Sequence, residues 1–513
     1  MNLPKELLAS LNGVAGFDAA AFEAVHATGR QVVSIRVNPG KVGFGVAPGD
    51  GVAATRGGFG APLAGVGDGG IEGAVGAARD GEGGGGVEGE VAAQGRGVVG
   101  GVGALLPVGA SRVPWSSMGY YLPERPSFTF DPLFHGGAYY VQEASSMFLE
   151  QALRQTVDLS RPLRVLDLCA APGGKSTLIE SLLSAGSLLV SNEVIRNRVH
   201  ILEENMVKWG GANSFITSND PQDFRRLENY FDVIVVDAPC SGSGLFRREP
   251  EAIEEWSLDN VRLCHQRQQR ILSDVWPALR QDGMLIYSTC SYSREEDEDI
   301  LDWMMKDLSA VGCRLDVSGE WNIVETAGAG GAYGYRFYPD KLDGEGFFIA
   351  CLRKGDGGEY SAPRKKNIPE KLNRVEETRV REWVRPDEAV AFFRHQEQIN
   401  ALPESLIAEL PLLQSACYLK RAGVPMGKLS AKEFIPGHDL AVSMIINPSL
   451  PVVALSREQA LLYLRKEEVH PEGAEPGWSL VAYEGLNLGW IKVLPRRSNN
   501  YYPKEWRILK REG

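Results

Sequence analysis

The chain has 513 residues, with 54 Lys and Arg against 66 Asp and Glu and a formal net charge of −12. That length accommodates two or three domains with large cores, and the acidic balance excludes nucleic-acid binding through a global field, so any nucleic-acid contact must come from local basic patches. The seven cysteines, at 169, 240, 264, 290, 313, 351 and 417, include no Cys-x-x-Cys pair, so no metal is expected, and their odd number fits a reducing compartment.

No apolar run approaches the roughly 20 residues of a membrane span, and Met-Asn-Leu-Pro-Lys-Glu lacks a signal-peptide core. The expectation is a cytoplasmic protein that makes no use of a membrane. Pro4 to Leu11 and Asp18 to Thr28 have helical spacing, and Val32 to Val37 reads as a strand before the Asn38-Pro39 turn. These belong to a small N-terminal α/β element, 1–40 and 113–150. Residues 41–112 interrupt it: Gly, Ala and Val dominate, periodicity is lost, and a disordered insertion is predicted, with Arg56-Gly-Gly58 an inert linker.

Trp115, Tyr120, Tyr121, Phe128, Phe130, Phe134, Tyr139 and Tyr140 then crowd together, and core packing is their expected use. From 151 to 354 strands and helices alternate, which argues for a mostly parallel sheet covered on both faces. Its central feature is Arg164 to Leu168, a strand ending in an acid, then Pro172-Gly-Gly174 and a helix from Lys175. Two glycines let a ligand approach the backbone, and the helix start offers unpaired N–H groups. The loop matches neither the dinucleotide fingerprint nor the phosphate loop.

Three further strand ends carry polar residues: Asn192-Glu193, Asn219-Asp220 and Asp237-Ala-Pro-Cys240. At the carboxyl ends of a doubly wound sheet these would line one crevice, with Glu193 placed for a ribose diol and Asp220 for the base or amino-acid end of the ligand. Cys240 follows the fourth strand and Cys290 the fifth, both in Gly- and Ser-rich loops that open on the same crevice. Either could be a nucleophile, and the residues alone do not rank them.

Asp167-Leu-Cys-Ala-Ala-Pro-Gly-Gly-Lys175, Asp237-Ala-Pro-Cys-Ser-Gly-Ser-Gly244 and Tyr287-Ser-Thr-Cys-Ser-Tyr292 together resemble the Sun/Fmu family of S-adenosylmethionine-dependent RNA cytosine-C5 methyltransferases. The resemblance runs from about Ser34 to Leu352 apart from the insertion. It implies a Rossmann-like methyltransferase sheet with S-adenosyl-L-methionine as cofactor. Cys169, Ala170, Ala171, Pro172, Gly173, Gly174 and Lys175 would hold the methionine part, and Glu193 the ribose, with Arg198, Asp220 and Asp237 nearby. It also assigns Cys290 as the nucleophile on carbon 6 and Cys240 to product release, with Asp237 on the cytosine N3 or exocyclic amine and Gln142 near the base. Cys240 as the nucleophile, by analogy with DNA cytosine methyltransferases, stays open, as does Lys175 as a phosphate ligand in a nucleotide hydrolase.

Residues 355–381 are polar and read as a linker, Glu382 to Cys417 as largely helical, and the remainder as strand and turn. Gly485 to Val493 alternates as a strand should. The tail carries Arg496, Arg497, Lys504, Arg507, Lys510 and Arg511 among Tyr501, Tyr502 and Trp506, a composition suited to RNA backbone contact and stacking. Gly489-Trp-Ile-Lys492, Arg497, Asn499 to Pro503 and Trp506-Arg507 resemble the tail of RsmF-type bacterial enzymes. The resemblance makes 382–513 an α+β, β-barrel-like RNA-binding region ending in a PUA-like module. It implies a monomer acting on 16S ribosomal RNA, within the small subunit or free. A transfer-RNA substrate is the second reading, and a non-catalytic ribosome-assembly factor the third.

Overall fold

The computed structural model describes residues 3–43, 101–358, 360, 369–470 and 473–511. Five parallel strands form its centre: β1 (Arg164–Asp167), β2 (Leu188–Asn192), β3 (Ser214–Thr217), β4 (Phe231–Asp237) and β5 (Leu279–Thr289). Their spatial order is β3-β2-β1-β4-β5. The chain therefore winds outward from β1 to β3, returns to the other side of β1 and winds out again. That reversal opens a crevice above the carboxyl ends of β1 and β4. Phe347–Lys354 pairs antiparallel with β5, and Tyr333–Phe337 and Val324–Ala327 extend that edge.

Period-two alternation within apolar runs covers both faces of this sheet. Leu166, Val190, Ile234, Val236 and Leu285 point to one side, where they meet Ile271, Leu272 and Val275 of α3 (Leu258–Val275). Val165, Leu189, Val233, Val235 and Ile286 point to the other, against Leu178 and Ile179 of α1 (Gly174–Leu182) and Val199, Leu202 and Met206 of α2 (Arg196–Trp209).

Val33–Val37, Gly119–Leu122, Tyr139–Val141 and Ser111–Arg112 make a separate four-stranded N-terminal sheet. The aromatic stretch is mostly core, as expected: Trp115, Tyr120 and Tyr139 are buried, and Trp115 packs on Phe337 with ring centroids 5.7 Å apart. Three polar side chains fasten this sheet to the parallel one. Arg36, fully buried, donates to Gln142 Oε1 (2.7 Å), Thr177 Oγ1 (2.5 Å) and Gly174 O (3.2 Å), with its guanidinium over Trp209. Asn38 bridges the Gly137 and Trp209 carbonyls at 3.0 Å each, and the Lys41 ammonium reaches the carbonyls of Gly136 and Lys208.

Several boundaries differ from those expected. The insertion predicted over 41–112, including Arg56-Gly-Gly58, lies mostly outside the described residues, but its end does not. Gly101–Leu105 is a helix and Ser111–Arg112 pairs with Tyr120 and Tyr121, so the N-terminal element resumes before residue 113. The predicted linker 355–381 contains a helix, Arg374–Arg381, started by an Asn373/Glu376 capping box.

Glu382 to Cys417 is not largely helical. Val390–His395 and Gln398–Pro403 form a hairpin: Val390, Phe392, Phe393 and Ile399 favour extended chain, and Gln396 takes the turn at φ 56°. The helical reading holds only for Glu409–Ala416. The tail also differs: Tyr502 is 1% exposed and packs edge-on against Tyr463 and His438, so it is core rather than a stacking platform. Gly485 to Val493 does lie in a strand, Leu486–Leu494, of a four-stranded C-terminal sheet.

One pairing had no local signal. Leu419–Ala422 adds antiparallel to β3, closing that edge of the sheet, while Phe393, Leu402, Leu406, Leu410 and Leu413 enter the same core as Leu166 and Phe215. The segment from Phe393 to Ala422 is thus structurally part of the parallel-sheet domain. A chain truncated after residue 381 should be insoluble or elute as aggregate in size-exclusion chromatography, because an apolar face and a strand edge are uncovered together.

Candidate active site

At the end of β1 the side chain of Asp167 is fully buried; one oxygen accepts from Ser176 Oγ at 2.6 Å and the other, Oδ1, has no partner. Burial raises this carboxyl to about 7, against the opposing pull of Ser176. Gly173 turns the chain at φ 117°, a conformation that favours glycine, and α1 begins at the next residue. The turn is held from α2, where Arg198 donates to the Ala171 carbonyl (2.6 Å) and Asn205 to that of Pro172 (2.8 Å).

Asn192 ties three strand ends together. Its amide donates to Leu168 O and Asn219 O, and its oxygen accepts from Thr217 Oγ1 and the Asn219 N–H. Beside it Glu193, 3% exposed, accepts from the Ile195 N–H at 2.8 Å and faces Arg198 at 3.4 Å. Val194 and Ile195 follow as apolar side chains 54% and 47% exposed, an open apolar surface beside the acid that the sequence reading overlooked. Asp220 is occupied otherwise: it caps the next turn through Gln222 N and lies 3.4 Å from Arg270.

The second half of the crevice is built by β4 and β5. They run in parallel register, Asp237 opposite Ser288, so the loops leaving them start side by side. The Cys240 and Cys290 sulfurs lie 3.1 Å apart, both cysteines free and half-buried. Hydrogen bonding to Cys290, then burial, pushes the Cys240 thiol well above its ordinary range. This approach needs glycine at 244, whose N–H donates to Cys290 O at 2.9 Å; a Cβ there would lie 2.8 Å from that oxygen and 2.5 Å from Gly346 O.

Lys175 joins the two halves. It comes from the glycine turn, yet its ammonium pairs with Asp237 Oδ2 at 2.7 Å and lies over the Phe347 ring. Burial opposes its charge, but Asp237, helped by Asp167, outweighs it and the net shift is upward. The other Asp237 oxygen accepts from Ser288 Oγ at 2.8 Å. Gln142, expected near a target base, is buried and accepts from Arg36.

Sequence reasoning also missed Glu296. It falls in Arg294-Glu-Glu-Asp-Glu-Asp299, a run that reads as a solvated surface, yet its carboxylate is 0% exposed and lies under both cysteine loops. The signal available was position, immediately after Thr-Cys-Ser-Tyr-Ser. Asp297 and Glu298 are buried with it and share Arg336 at 3.0 and 2.5 Å.

Comparison with known proteins covers all three regions. A family model described as 16S rRNA methyltransferase RsmB/F matches residues 155–353, the N-terminal domain of 16S rRNA methyltransferase RsmF matches 100–144, and the methyltransferase RsmF PUA domain matches 450–508. Residues 155–353 thus match the RsmB/F methyltransferase family, with RsmF-type regions matched on either side. The chain is 28% identical to the ribosomal RNA small subunit methyltransferase F of Shewanella piezotolerans, over 77% of this chain and 84% of that one. For the same enzyme of an Enterobacter species the identity is 29%, over 78% and 84%. The crystal structure of PH0851 superposes with a TM-score of 0.50 at 21% identity, over 69% of this chain and 66% of that one, in agreement on the fold.

The matched region 155–353 is that of an S-adenosylmethionine-dependent methyltransferase. The crevice suits that cofactor: it offers an unpartnered buried carboxylate oxygen at Asp167, a second acid at Glu193 and a backbone turn without side chains at Gly173 and Gly174. Among the described residues no cluster of metal ligands occurs, and no helix is long and apolar enough to cross a membrane.

Asp167 gives a pH test. Its folded-state carboxyl binds a proton more tightly than an ordinary aspartate, so its contribution to stability falls as pH rises from about 4 through about 7. Asp167→Asn removes that titration. Its thermal midpoint relative to the natural chain should therefore become more favourable between pH 4 and pH 8, and a difference independent of pH would show that Asp167 ionises normally.

Proposed function

We propose that this chain methylates carbon 5 of cytosine in 16S ribosomal RNA through a transient covalent bond between Cys290 and carbon 6. The observation carrying this reading is the pair of facing thiols at adjacent strand ends, joined to the glycine turn by Lys175. Its ribosomal part rests on the relatives, which are named as small-subunit ribosomal RNA enzymes and match along both terminal regions.

S-adenosylmethionine, when bound, supplies an electrophilic methyl group on a sulfonium. The turn from Cys169 to Lys175 would hold its methionine part, with Glu193 and Arg198 on the ribose side and Val194 and Ile195 available for apolar contact to the base. Asp220, capping its own turn, serves as an outer boundary.

Carbon 5 of cytosine is too weak a nucleophile to take the methyl group unaided. Addition of the Cys290 thiolate to carbon 6 pushes electron density to carbon 5, where the new carbon–carbon bond forms as the methyl group's bond to the sulfonium sulfur breaks and that sulfur keeps the electron pair. Asp237 accepts from the exocyclic amine and orients the ring, itself fixed by Lys175 and Ser288. The carbon-5 proton then passes to solvent water, its bonding electrons restore the ring double bond, and the carbon–sulfur bond breaks to return Cys290 as the thiolate. Cys240, 3.1 Å from the departing sulfur, serves this release. Because the base must leave any stack to meet the thiol, the target is unpaired or locally melted RNA.

Cys290→Ala should abolish methyl transfer with cofactor binding retained, measured by isothermal titration; full activity would remove the mechanism. Cys240→Ala should accumulate a protein–RNA adduct that survives denaturing electrophoresis. Bisulfite mapping of ribosomal and transfer RNA from a strain lacking the gene should lose signal in 16S RNA, whereas loss in transfer RNA would reassign the substrate.

A further inference from the structure

We infer that Glu296 is the positioning residue that fixes the two thiols relative to one another. Its Oε1 accepts from the Ser241 N–H (2.8 Å) and Gln268 Nε2 (3.3 Å), and its Oε2 from Ser241 Oγ (2.5 Å) and Ser291 Oγ (2.6 Å). Ser241 is the neighbour of Cys240 and Ser291 the neighbour of Cys290, so one rigid carboxylate holds both loops one residue from each sulfur. Its own backbone is fixed as well, with the carbonyl accepting from the Tyr287 hydroxyl at 2.7 Å. Gln268 joins α3 to the arrangement by donating also to Pro239 O at 3.0 Å.

Energetics points to function rather than stability. The partners that hold this fully buried carboxylate are hydroxyls and amides rather than cations, and burial pushes its protonation upward despite those bonds. Removing a carboxylate from water is costly, and an apolar or amide side chain could fill the same space at lower cost. What a charged, bidentate acceptor adds is geometry: it draws two hydroxyls and an N–H onto fixed directions, where a glutamine would present one oxygen and an NH2 group facing hydroxyl donors.

This inference rests on the assignment of Cys290 as nucleophile, and the test separates the two. Steady-state methyl transfer is measured for the natural chain and Glu296→Gln, and the rate of adduct formation for Cys240→Ala with and without that change. The positioning role predicts a fall in kcat of about 10²-fold, the scale of a nucleophile displaced by about 1 Å, with KM for S-adenosylmethionine changed less than about twofold and adduct formation slowed in parallel. A kcat within about twofold of the natural value overturns it, as does a loss carried by KM with the adduct rate unchanged. Should Cys240→Ala form no adduct while Glu296→Gln still lowers kcat alone, the division of labour between the cysteines fails and the positioning role stands. If Glu296→Gln does not fold, Ser291→Ala removes one donor beside Cys290 and should lower kcat about tenfold; an unchanged kcat there overturns the inference.

Discussion

The parallel register between β4 and β5 is the constraint on which the site depends. Asp237 lies opposite Ser288, so the chain leaves the two strands at the same level and the following loops run side by side. With Cys240 and Cys290 each two or three residues beyond that pair, the sulfurs meet without either loop being long. The approach is close enough that Gly244 and Gly346 touch backbone to backbone, and this accounts for glycine in a loop that makes no tight hairpin. A slip of one residue in the ladder would turn the whole of β5 over, sending Ile286 to the wrong face and separating the thiols.

Much of this was legible in the sequence because it is local. A strand ending in an acid, a Pro-Gly-Gly turn and a helix can be read within fifteen residues, and the two cysteine motifs are marked by their own serines and glycines. The aromatic stretch around Trp115 gave itself away as core by its density. What escaped depends on partners distant in the chain. Glu296 looks like one acid in a solvated run until Ser241, more than fifty residues earlier, is placed over it. Tyr502 was hidden in a basic tail, since charge in the neighbouring residues says nothing about which side chain points inward. Between Glu382 and Cys417 the leucines near Glu409–Ala416 imposed a helical reading on a segment whose first half pairs as a hairpin.

The same contrast applies to how the regions are joined. Arg36, Asn38 and Lys41 lie in one short stretch at and just beyond the end of the strand Val33–Val37, and nothing in their spacing marks them as fasteners. Yet all three end on backbone carbonyls or side chains of the parallel-sheet domain. Arg36 reaches Gly174 and Thr177 in the first turn of α1, so the N-terminal sheet is anchored to the helix that follows the glycine turn. Position in the sheet, not composition, decides what each element does.

The strand at Leu419–Ala422 has a consequence for how the molecule is made. Its partner β3 ends at Thr217, so the ribosome must add about 200 residues before the ladder on that side can be completed. At typical elongation rates the nascent polypeptide spends roughly 10–40 s with a bare row of amide and carbonyl groups on view. Over that interval the half-built sheet is a natural client for chaperones, and the fold closes only when the last third of the message has been translated.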